Sequence, residues 1–506
     1  MNLEKQLHTH FGFNTFRPGQ KEIISSLLNG QHTLGMLATG TGKSLCYQLT
    51  GYILKKPVLI VSPLLSLMQD QAEQLKHMGE KSVLTLNSFL EREQKREAIQ
   101  NITRYRFIFL SPEMLAVEGI LNALRNLDIG LFVIDEAHCI SQWGYDFRPD
   151  YLQLGNIRRK LSNPLTLALT ATATEEVRED ISDRLDLDTV HQVISSVDRG
   201  NIALAVETFS GYEEKLQRLL EITRESKGPG IIYFSSKKAA ENTALYLKEN
   251  GIAHVAYYHG GMEQEQRMLI QQQFITGQLR VICSTSAFGM GVNKENVRFV
   301  VHFHLPSGIE AYVQETGRAG RDGNQSAAII LYCEGDEGLP LHLMEQELPT
   351  EPQIDGVFSY VDFSKFVSEK PPVAVQEAII QQFSLSEIQW RFIQHFIGLN
   401  RGQGNVLKVK EAMKRYVSSR KEYKTAKIYS FLTWLISKQC RREGVLNYFQ
   451  EEKKSQNERC CDRCGLDPEL LQNMSANGSE LAASRFTNWK QDLAKLLLKA
   501  ADSNEK

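Results

Sequence analysis

The amino-acid sequence predicts an α/β protein with two lobes, each built on a parallel sheet, followed by helical segments. Short runs rich in valine, isoleucine and leucine recur without alternation, which is typical of strands buried on both faces. Helical patterns separate the runs, so βαβ units are expected. One series of runs lies at 57–63, 106–112, 129–136 and 164–174, and a second at 230–236, 280–286, 298–306 and 327–333.

The two series define the predicted domain boundaries. We expect one lobe at 1–203 and another at 204–340, joined through the polar stretch 198–212. Beyond residue 340 the sequence pattern is typical of helices. We divide this part into an insertion (341–421), a cysteine-bearing module (422–465) and a polar tail (466–506).

Within the insertion, one helix start and one apolar face are predicted. Ser384 and Glu387 have the spacing of a capping box, in which two side chains bond each other's backbone at a helix start. The apolar face is expected from Ile388, Phe392, Phe396 and Ile397.

Composition excludes several classes of protein. A chain of 506 residues exceeds one hydrophobic core. The net charge of −2 argues against a uniformly basic coat, although a local basic channel remains compatible with it. No run approaches the roughly 20 apolar residues of a membrane span, and the start lacks a signal-peptide core. We therefore expect a cytoplasmic protein without a membrane partner.

The first chemical signal is ATGTGKS at 38–44. Gly40 and Gly42 would let backbone N–H groups approach phosphates, together with the neighbouring loop residues Ala38, Thr39 and Thr41. Lys43 would reach the β- and γ-phosphates of ATP, and the Ser44 hydroxyl would bind Mg²⁺. Leu37 stands where the full phosphate-loop pattern has a glycine, so a chance match stays open at this point.

A second signal is FVIDEAH at 132–138, an apolar strand that ends in two acids. Asp135 would hold Mg²⁺ through its water shell, and Glu136 would orient and deprotonate the attacking water. Two acids at a strand end are common in themselves. Their position after Lys43, at another strand end of the same predicted sheet, favours a shared ligand site.

A third signal is YVQETGRAGRDG at 312–323. Arg318 and Arg321 are three residues apart and would share one face of a helix. An arginine from a second lobe can neutralise charge in the transition state of phosphoryl transfer. The alternative is a solvated basic helix.

An aromatic-rich stretch directly follows the acid pair. Trp143, Tyr145 and Phe147 alternate along it, with Arg148 beside them. Aromatic faces stack on bases and arginine binds phosphate, so the stretch could report DNA occupancy to the ATP site. The alternative is a loop pinned into the core by its aromatic side chains.

Together these segments resemble the RecQ family of superfamily 2 helicases. The resemblance covers about 1–340 and resumes at 422–464, and it implies two RecA-like lobes. In FGFNTFRPGQKEII, at 11–24, it assigns Gln20 to reading adenine and Arg17 to supporting it. Segments 61–71 and 110–115 look like DNA-contacting motifs. The resemblance assigns coupling of hydrolysis to DNA movement, and DNA contact, to His138, Gln142, Trp143, Phe147, Arg148 and Thr170.

The resemblance also implies an activity. It predicts ATP-driven 3′-to-5′ unwinding of DNA in repair and recombination, with single-stranded and branched DNA as partners. A single-stranded-DNA-binding protein is a further implied partner, and a bacterial member would associate with the nucleoid. Rival functions are a DNA-stimulated ATPase that remodels protein–DNA complexes and a non-catalytic scaffold. The intact Lys43, Glu136 and Arg321 argue against the scaffold.

The clustered cysteines resemble the zinc module of the family. Cys440, Cys460, Cys461 and Cys464 would form a closed, structural Zn²⁺ site. Adjacent Cys460 and Cys461 depart from the usual two-residue spacer. Four reduced surface thiols are the alternative.

Two further departures concern the ends of this module. An insertion near 350–421 precedes it, and the residues after Cys464 are too few for the family's winged helix and accessory helical domain. We expect the insertion to serve as a DNA-binding element, since 408–427 is strongly basic. The alternative is that these charges form the solvated face of a packing helix.

Overall fold

The computed structural model describes residues 2–87, 90–115, 117–141, 148–289, 294–360, 372–400, 405–453 and 460–466. The chain divides into two compact units. Unit 1 comprises 1–199, 304–317 and 332–457, and unit 2 comprises 200–303, 318–331 and 458–506. No helix in the described ranges combines the length and hydropathy that a membrane crossing requires.

Unit 1 contains a seven-stranded sheet whose paired strands are all parallel. Its order is β3-β4-β2-β5-β6-β1-β7. The four predicted strands of the first series are confirmed and form its central part. The strands are β1 (Thr33–Met36), β2 (Val58–Val61), β3 (Val83–Leu86), β4 (Phe107–Leu110), β5 (Leu131–Ile134), β6 (Thr166–Thr170) and β7 (His191–Ile194).

Helices connect these strands and supply the βαβ units that the sequence predicts. Buried aliphatic and aromatic residues of the sheet and of the leading helices form one hydrophobic core, which includes Ile23, Leu49 and Val133. The helices are α1 (Leu3–Phe11), α2 (Gln20–Leu28), α3 (Ser44–Leu54), α4 (Leu65–His77), α5 (Arg92–Gln100), α6 (Pro112–Leu115), α7 (Glu118–Arg125), α8 (Leu154–Lys160) and α9 (Glu175–Arg184). Short 3₁₀ turns occupy Ile102–Arg104, Ala137–Ile140 and Pro149–Gln153.

Unit 2 contains a six-stranded sheet in the order β10-β11-β9-β12-β13-β8. The second series of predicted strands is confirmed as β9, β11, β12 and β13. Strand β8 occupies most of the stretch that the sequence suggested as a link. The elements are β8 (Ile202–Phe209), α10 (Tyr212–Glu225), β9 (Gly230–Tyr233), α11 (Lys237–Glu249), β10 (Val255–Tyr258), α12 (Gln264–Ile275), β11 (Val281–Ser284), β12 (Phe299–His302) and β13 (Ser326–Cys333).

The remaining helices belong to unit 1. They are α13 (Ile309–Thr316), α14 (Gly338–Glu347), α15 (Glu351–Tyr360), α16 (Val373–Gln382), α17 (Glu387–Leu399), α18 (Val406–Ile436) and α19 (Arg441–Tyr448). Helix α18 has 31 residues and runs across the proposed boundary between insertion and cysteine module at residue 421.

Two details of the predicted insertion helix are wrong. Helix α17 is capped by Ser386, whose side chain bonds Gln389, because Ser384 has a left-handed backbone (φ 48°) and lies before the helix. The buried face consists of Trp390, Ile393 and Ile397, which join a small core with Val409 and Met413 of α18. Ile388 is 60% exposed, and Phe392 and Phe396 are only partly buried.

Several basic residues of α18 make ion pairs within unit 1. The ammonium groups of Lys410 and Lys414 lie 3.1 and 2.8 Å from the Asp355 carboxylate of α15. Lys424 pairs with Glu347, and Lys427 lies 2.6 Å from Glu310. These contacts favour a packing role for most of the basic stretch, whereas Lys408 and Arg415 are exposed.

Candidate active site

The phosphate loop lies between β1 and α3. Gly40 and Gly42 both have left-handed backbones, with φ of 83° and 75°, which glycine adopts without strain. Helix α3 begins at Ser44 directly after Lys43, so the loop leads into a helix N-terminus whose free N–H groups favour an anion.

Leu37 has a structural reason to replace the first glycine of the pattern. Its side chain is fully buried in the unit 1 core. A Cβ built on Gly19 would lie 2.5 Å from Leu37 Cδ2, so Leu37 packs against a residue that must lack a side chain. The departure from the pattern is thus accounted for by core packing.

Arg17 and Gln20 both bond the phosphate loop. The Gln20 side-chain amide donates to the carbonyl oxygens of Thr41 (2.8 Å) and Gly42 (3.0 Å), and Arg17 donates to Gly40. The backbone N–H of Arg17 donates to Gln20 Oε1 over 2.9 Å. An open groove beside them is lined by Phe16, among others, an aromatic side chain that the sequence analysis did not single out.

The acid pair follows β5 at the carboxyl edge of the sheet. Asp135 and Glu136 are 4% and 8% exposed, and Glu136 has a left-handed backbone (φ 49°). Burial raises the pKa of Asp135 to about 6, the Glu136 carboxylate adds to this shift, and the Lys43 ammonium opposes it. The structure therefore brings Lys43 and Asp135 into electrostatic contact, and the carboxylate oxygens fit the ligand preference of Mg²⁺.

Two residues that support Asp135 were missed from the sequence. Gln71, on α4, hydrogen-bonds the Asp135 carboxyl group. The Tyr151 hydroxyl donates to the Asp135 backbone carbonyl over 3.2 Å. Gln71 ends the segment 61–71, which the resemblance assigned to DNA contact, and neither residue was expected at Asp135, because each reaches it from another element of unit 1.

His138 and Thr170 form a polar chain that starts at the acid pair. His138 Nδ1 lies 3.5 Å from Glu136 Oε2 and 3.0 Å from the Thr170 hydroxyl. Thr170 ends β6, and its hydroxyl donates to the Thr172 carbonyl over 3.1 Å. The side chains of Glu136, His138 and Thr170 are all buried. A displacement of Thr170 can therefore move Glu136 through the single intervening side chain of His138.

The aromatic-rich stretch is described only at its ends. Gln142, Trp143 and Phe147 lie outside the described residues. Arg148 donates its backbone N–H to Cys139 (2.9 Å) and a guanidinium N–H to the Pro63 carbonyl (2.8 Å). Arg148, at the end of the stretch, thus bonds both the segment that follows the acid pair and the segment at 61–71.

The predicted helical placement of Arg318 and Arg321 is wrong. Helix α13 ends at Thr316, and both arginines lie in turns of unit 2, in which Gly320 has a positive φ of 55°. Arg318 is 5% exposed and donates to the Gly289 carbonyl. Arg321 is partly exposed.

The four clustered cysteines come together as expected. The sulfur atoms of Cys440, Cys460, Cys461 and Cys464 all lie within 4.8 Å of one another. Lys453 donates to Cys440 Sγ over 3.6 Å. Four sulfur donors at this spacing fit a structural Zn²⁺ site.

The comparisons with known proteins agree with this geometry. Residues 17–181 match the DEAD/DEAH box helicase model, and residues 213–323 match the helicase conserved C-terminal domain. The chain is 42% identical to the probable ATP-dependent DNA helicase RecS of Bacillus subtilis, over 98% of this chain and 97% of that protein. It is 41% identical to the ATP-dependent DNA helicase RecQ of Pasteurella multocida, over 69% of this chain and 54% of that protein.

This chain belongs to the RecQ family of ATP-dependent DNA helicases. Membership in this family implies that ATP is the substrate, that Mg²⁺ is the cofactor and that DNA is the binding partner. The chain spans about half the length of the RecQ relative, but nearly all of RecS. The Mycobacterium smegmatis helicase Lhr, solved with ssDNA and AMP-PNP, shares the fold with a TM-score of 0.56 at 18% identity, over 78% of this chain and 57% of that chain.

Proposed function

We propose that this RecQ-family helicase translocates 3′ to 5′ on single-stranded DNA and unwinds duplex or branched DNA in repair and recombination. The observation that carries the proposal is the buried pair Asp135–Glu136 within electrostatic reach of Lys43. A motor needs such a site, because hydrolysis requires a base and a cation beside the phosphates.

The phosphate loop and the acid pair divide the tasks of ATP binding and hydrolysis between them. Lys43 and the backbone of Ala38, Thr39, Gly40, Thr41 and Gly42 bind phosphates. Ser44 and Asp135 would hold Mg²⁺, which neutralises phosphate charge when bound. Glu136 takes the proton of the attacking water. Arg17 and Gln20 act at the adenine end, and their bonds to the loop would connect base recognition with phosphate binding.

Arg318 and Arg321 are proposed to act on the transition state of hydrolysis. Breaking the bond to the leaving ADP develops negative charge that bound ATP does not carry at that oxygen, so an arginine that neutralises it affects turnover more than affinity. Gly317, directly before Arg318, supports this role, since a Cβ on it would lie 2.1 Å from Thr39 Oγ1 of the phosphate loop.

Coupling between DNA and ATP is assigned to the segment from His138 to Arg148 together with Thr170. The supporting contacts are the chain Glu136–His138–Thr170 and the bond from Arg148 to Pro63. In this proposal, DNA engaged by Gln142, Trp143, Phe147 and Arg148 shifts His138 and hence Glu136.

A structural Zn²⁺ is proposed at Cys440, Cys460, Cys461 and Cys464. Such an ion contributes folding free energy and takes no part in hydrolysis. The backbone of the cysteine segment also bonds β8, because Leu204 donates to Cys460 (3.1 Å) and accepts from Asp462 (3.0 Å). By family resemblance, the proposal also includes a single-stranded-DNA-binding protein as partner and a cytoplasmic location, with association to the nucleoid if the protein is bacterial.

Strand displacement on tailed duplexes tests the proposal. The protein should unwind a 3′-tailed duplex and a fork in the presence of ATP, and leave a 5′-tailed duplex intact. Removal of streptavidin from biotinylated DNA without strand displacement would instead support a remodelling ATPase. Unwinding of the 5′-tailed duplex alone would overturn the proposed polarity.

A further inference from the structure

Arg199 bonds the phosphate loop although no sequence motif marks it. Its guanidinium donates to the carbonyl oxygens of Thr39 and Gly317, each over 3.1 Å. The Thr39 hydroxyl donates to the same Gly317 carbonyl over 2.9 Å. Arg199 therefore joins the phosphate loop to the residue that follows helix α13.

Gly317 has to be glycine at this contact. A Cβ on it would lie 2.1 Å from Thr39 Oγ1 and 2.9 Å from the Val313 carbonyl. The backbone at Gly317 is thus in direct contact with Thr39 of the phosphate loop. Arg318 and Arg321 follow Gly317 along the chain by one and four residues, so the position of Gly317 constrains where that segment begins.

Arg199 is itself held by helix α19. Arg442, which is 3% exposed, donates to the Arg199 carbonyl over 3.0 Å and forms an ion pair with Asp198. Beyond the other end of the helix, Glu451 accepts from the Val197 backbone N–H over 3.1 Å. A buried guanidinium is stable only with such acceptors, so this attachment of α19 to 197–199 is well defined.

We propose that Arg199 is a positioning residue for ATP hydrolysis, which transmits the placement of helix α19 to the phosphate loop and to Gly317. Loop N–H groups must point at the phosphates, and a carbonyl held at Thr39 fixes the orientation of the peptide units that follow. Arg442 acts through Arg199. The inference depends on the proposed role of the phosphate loop.

The test measures steady-state ATPase of the full chain with saturating DNA. Arg199→Ala should lower kcat/KM for ATP by about 10- to 100-fold, since small misplacements in an active site have effects of this order. Arg199→Lys should restore part of it, because lysine keeps the charge but not the two-pronged geometry. The thermal midpoint should stay close to that of the wild type.

Non-additivity distinguishes a shared pathway from two independent packing defects. Arg442→Ala should lower kcat/KM, and the double variant should be no worse than the more impaired single variant. Lys438→Ala, an exposed cation shortly before α19, is the matched control and should behave as wild type. Wild-type kcat and KM in Arg199→Ala, or additive losses in the double variant, would overturn the inference.

Lys43→Ala separates this inference from the proposed function. If Lys43→Ala abolishes turnover while Arg199→Ala has no effect, only the positioning role fails. If Lys43→Ala retains turnover, the phosphate-loop assignment fails as well.

Discussion

Replacing Lys427 by methionine should destabilise unit 1 by about 3 kcal/mol. Lys427 Nζ lies 2.6 Å from Glu310 Oε1, and the Tyr448 hydroxyl donates to the same oxygen over 2.5 Å. Glu310 is 4% exposed, so loss of the lysine leaves a buried carboxylate without its cation. Removal of one partner of a buried ion pair costs about 3–5 kcal/mol, and the remaining bond from Tyr448 argues for the lower end.

The ion pair of Lys427 makes its full contribution to the free energy of unfolding at neutral pH. Burial by itself would lower the pKa of Lys427, but the Glu310 carboxylate and the Tyr423 hydroxyl raise it above the ordinary value. A group whose pKa is raised in the folded state contributes its full stabilisation of that state at any pH below its pKa in the unfolded chain, which is about 10.4 for lysine. This stabilisation is lost as the pH rises through the pKa of the folded state. A measurement at neutral pH therefore records the whole effect.

Urea unfolding followed by tryptophan fluorescence is a suitable assay, since Trp390 and Trp434 are buried in this helical region. Lys408→Met, at an exposed site on the same helix, should change stability by less than about 0.5 kcal/mol. Adding Glu310→Gln to Lys427→Met should recover part of the loss, because the buried charge is removed. The reasoning is refuted if Lys427→Met unfolds at the same midpoint as Lys408→Met.

Three further predictions concern the proposed sites. Arg321→Ala should reduce kcat of the ATPase far more than ATP affinity, measured by turnover and nucleotide titration, and equal losses in both would contradict a transition-state role. Trp143→Ala should lower DNA-stimulated ATPase and spare the basal rate, whereas parallel losses with a lower melting temperature would favour core packing. Elemental analysis should find one Zn²⁺ per chain, and Cys464→Ser should release it and destabilise the module, while full occupancy in that variant would exclude this ligand set.

Local apolar runs predicted the central strands well, and two of the strands that were missed, β1 and β7, escaped for physical reasons. In β1, Gly35 interrupts the run because a Cβ there would lie 2.6 Å from Ile23 Cδ1. Strand β7 is an edge strand with only Val193 buried, so its sequence carries little apolar signal. Short edge strands depend on their neighbours in the sheet more than on their own composition.

The candidate site was predictable where its residues form contiguous motifs. Lys43, Asp135 and Glu136 belong to such motifs, and the structure brings them together. Arg199 reaches the phosphate loop from far along the chain, so no local pattern reports it. Gln71 ends the segment 61–71, but nothing in that segment indicates its bond to Asp135. The helical expectation for Arg318 and Arg321 failed because spacing alone ignored the break at Gly317.

We propose that the acid pair beside the phosphate loop drives unwinding through ATP hydrolysis. Glu136→Gln tests it most directly, because the amide keeps the shape of the side chain but cannot accept the proton of water. We predict that this variant binds ATP with near wild-type affinity and loses about 10²- to 10⁴-fold in hydrolysis, with a matching loss of strand displacement on a 3′-tailed duplex. Hydrolysis and strand displacement at wild-type rates would show that Glu136 is not the base for hydrolysis.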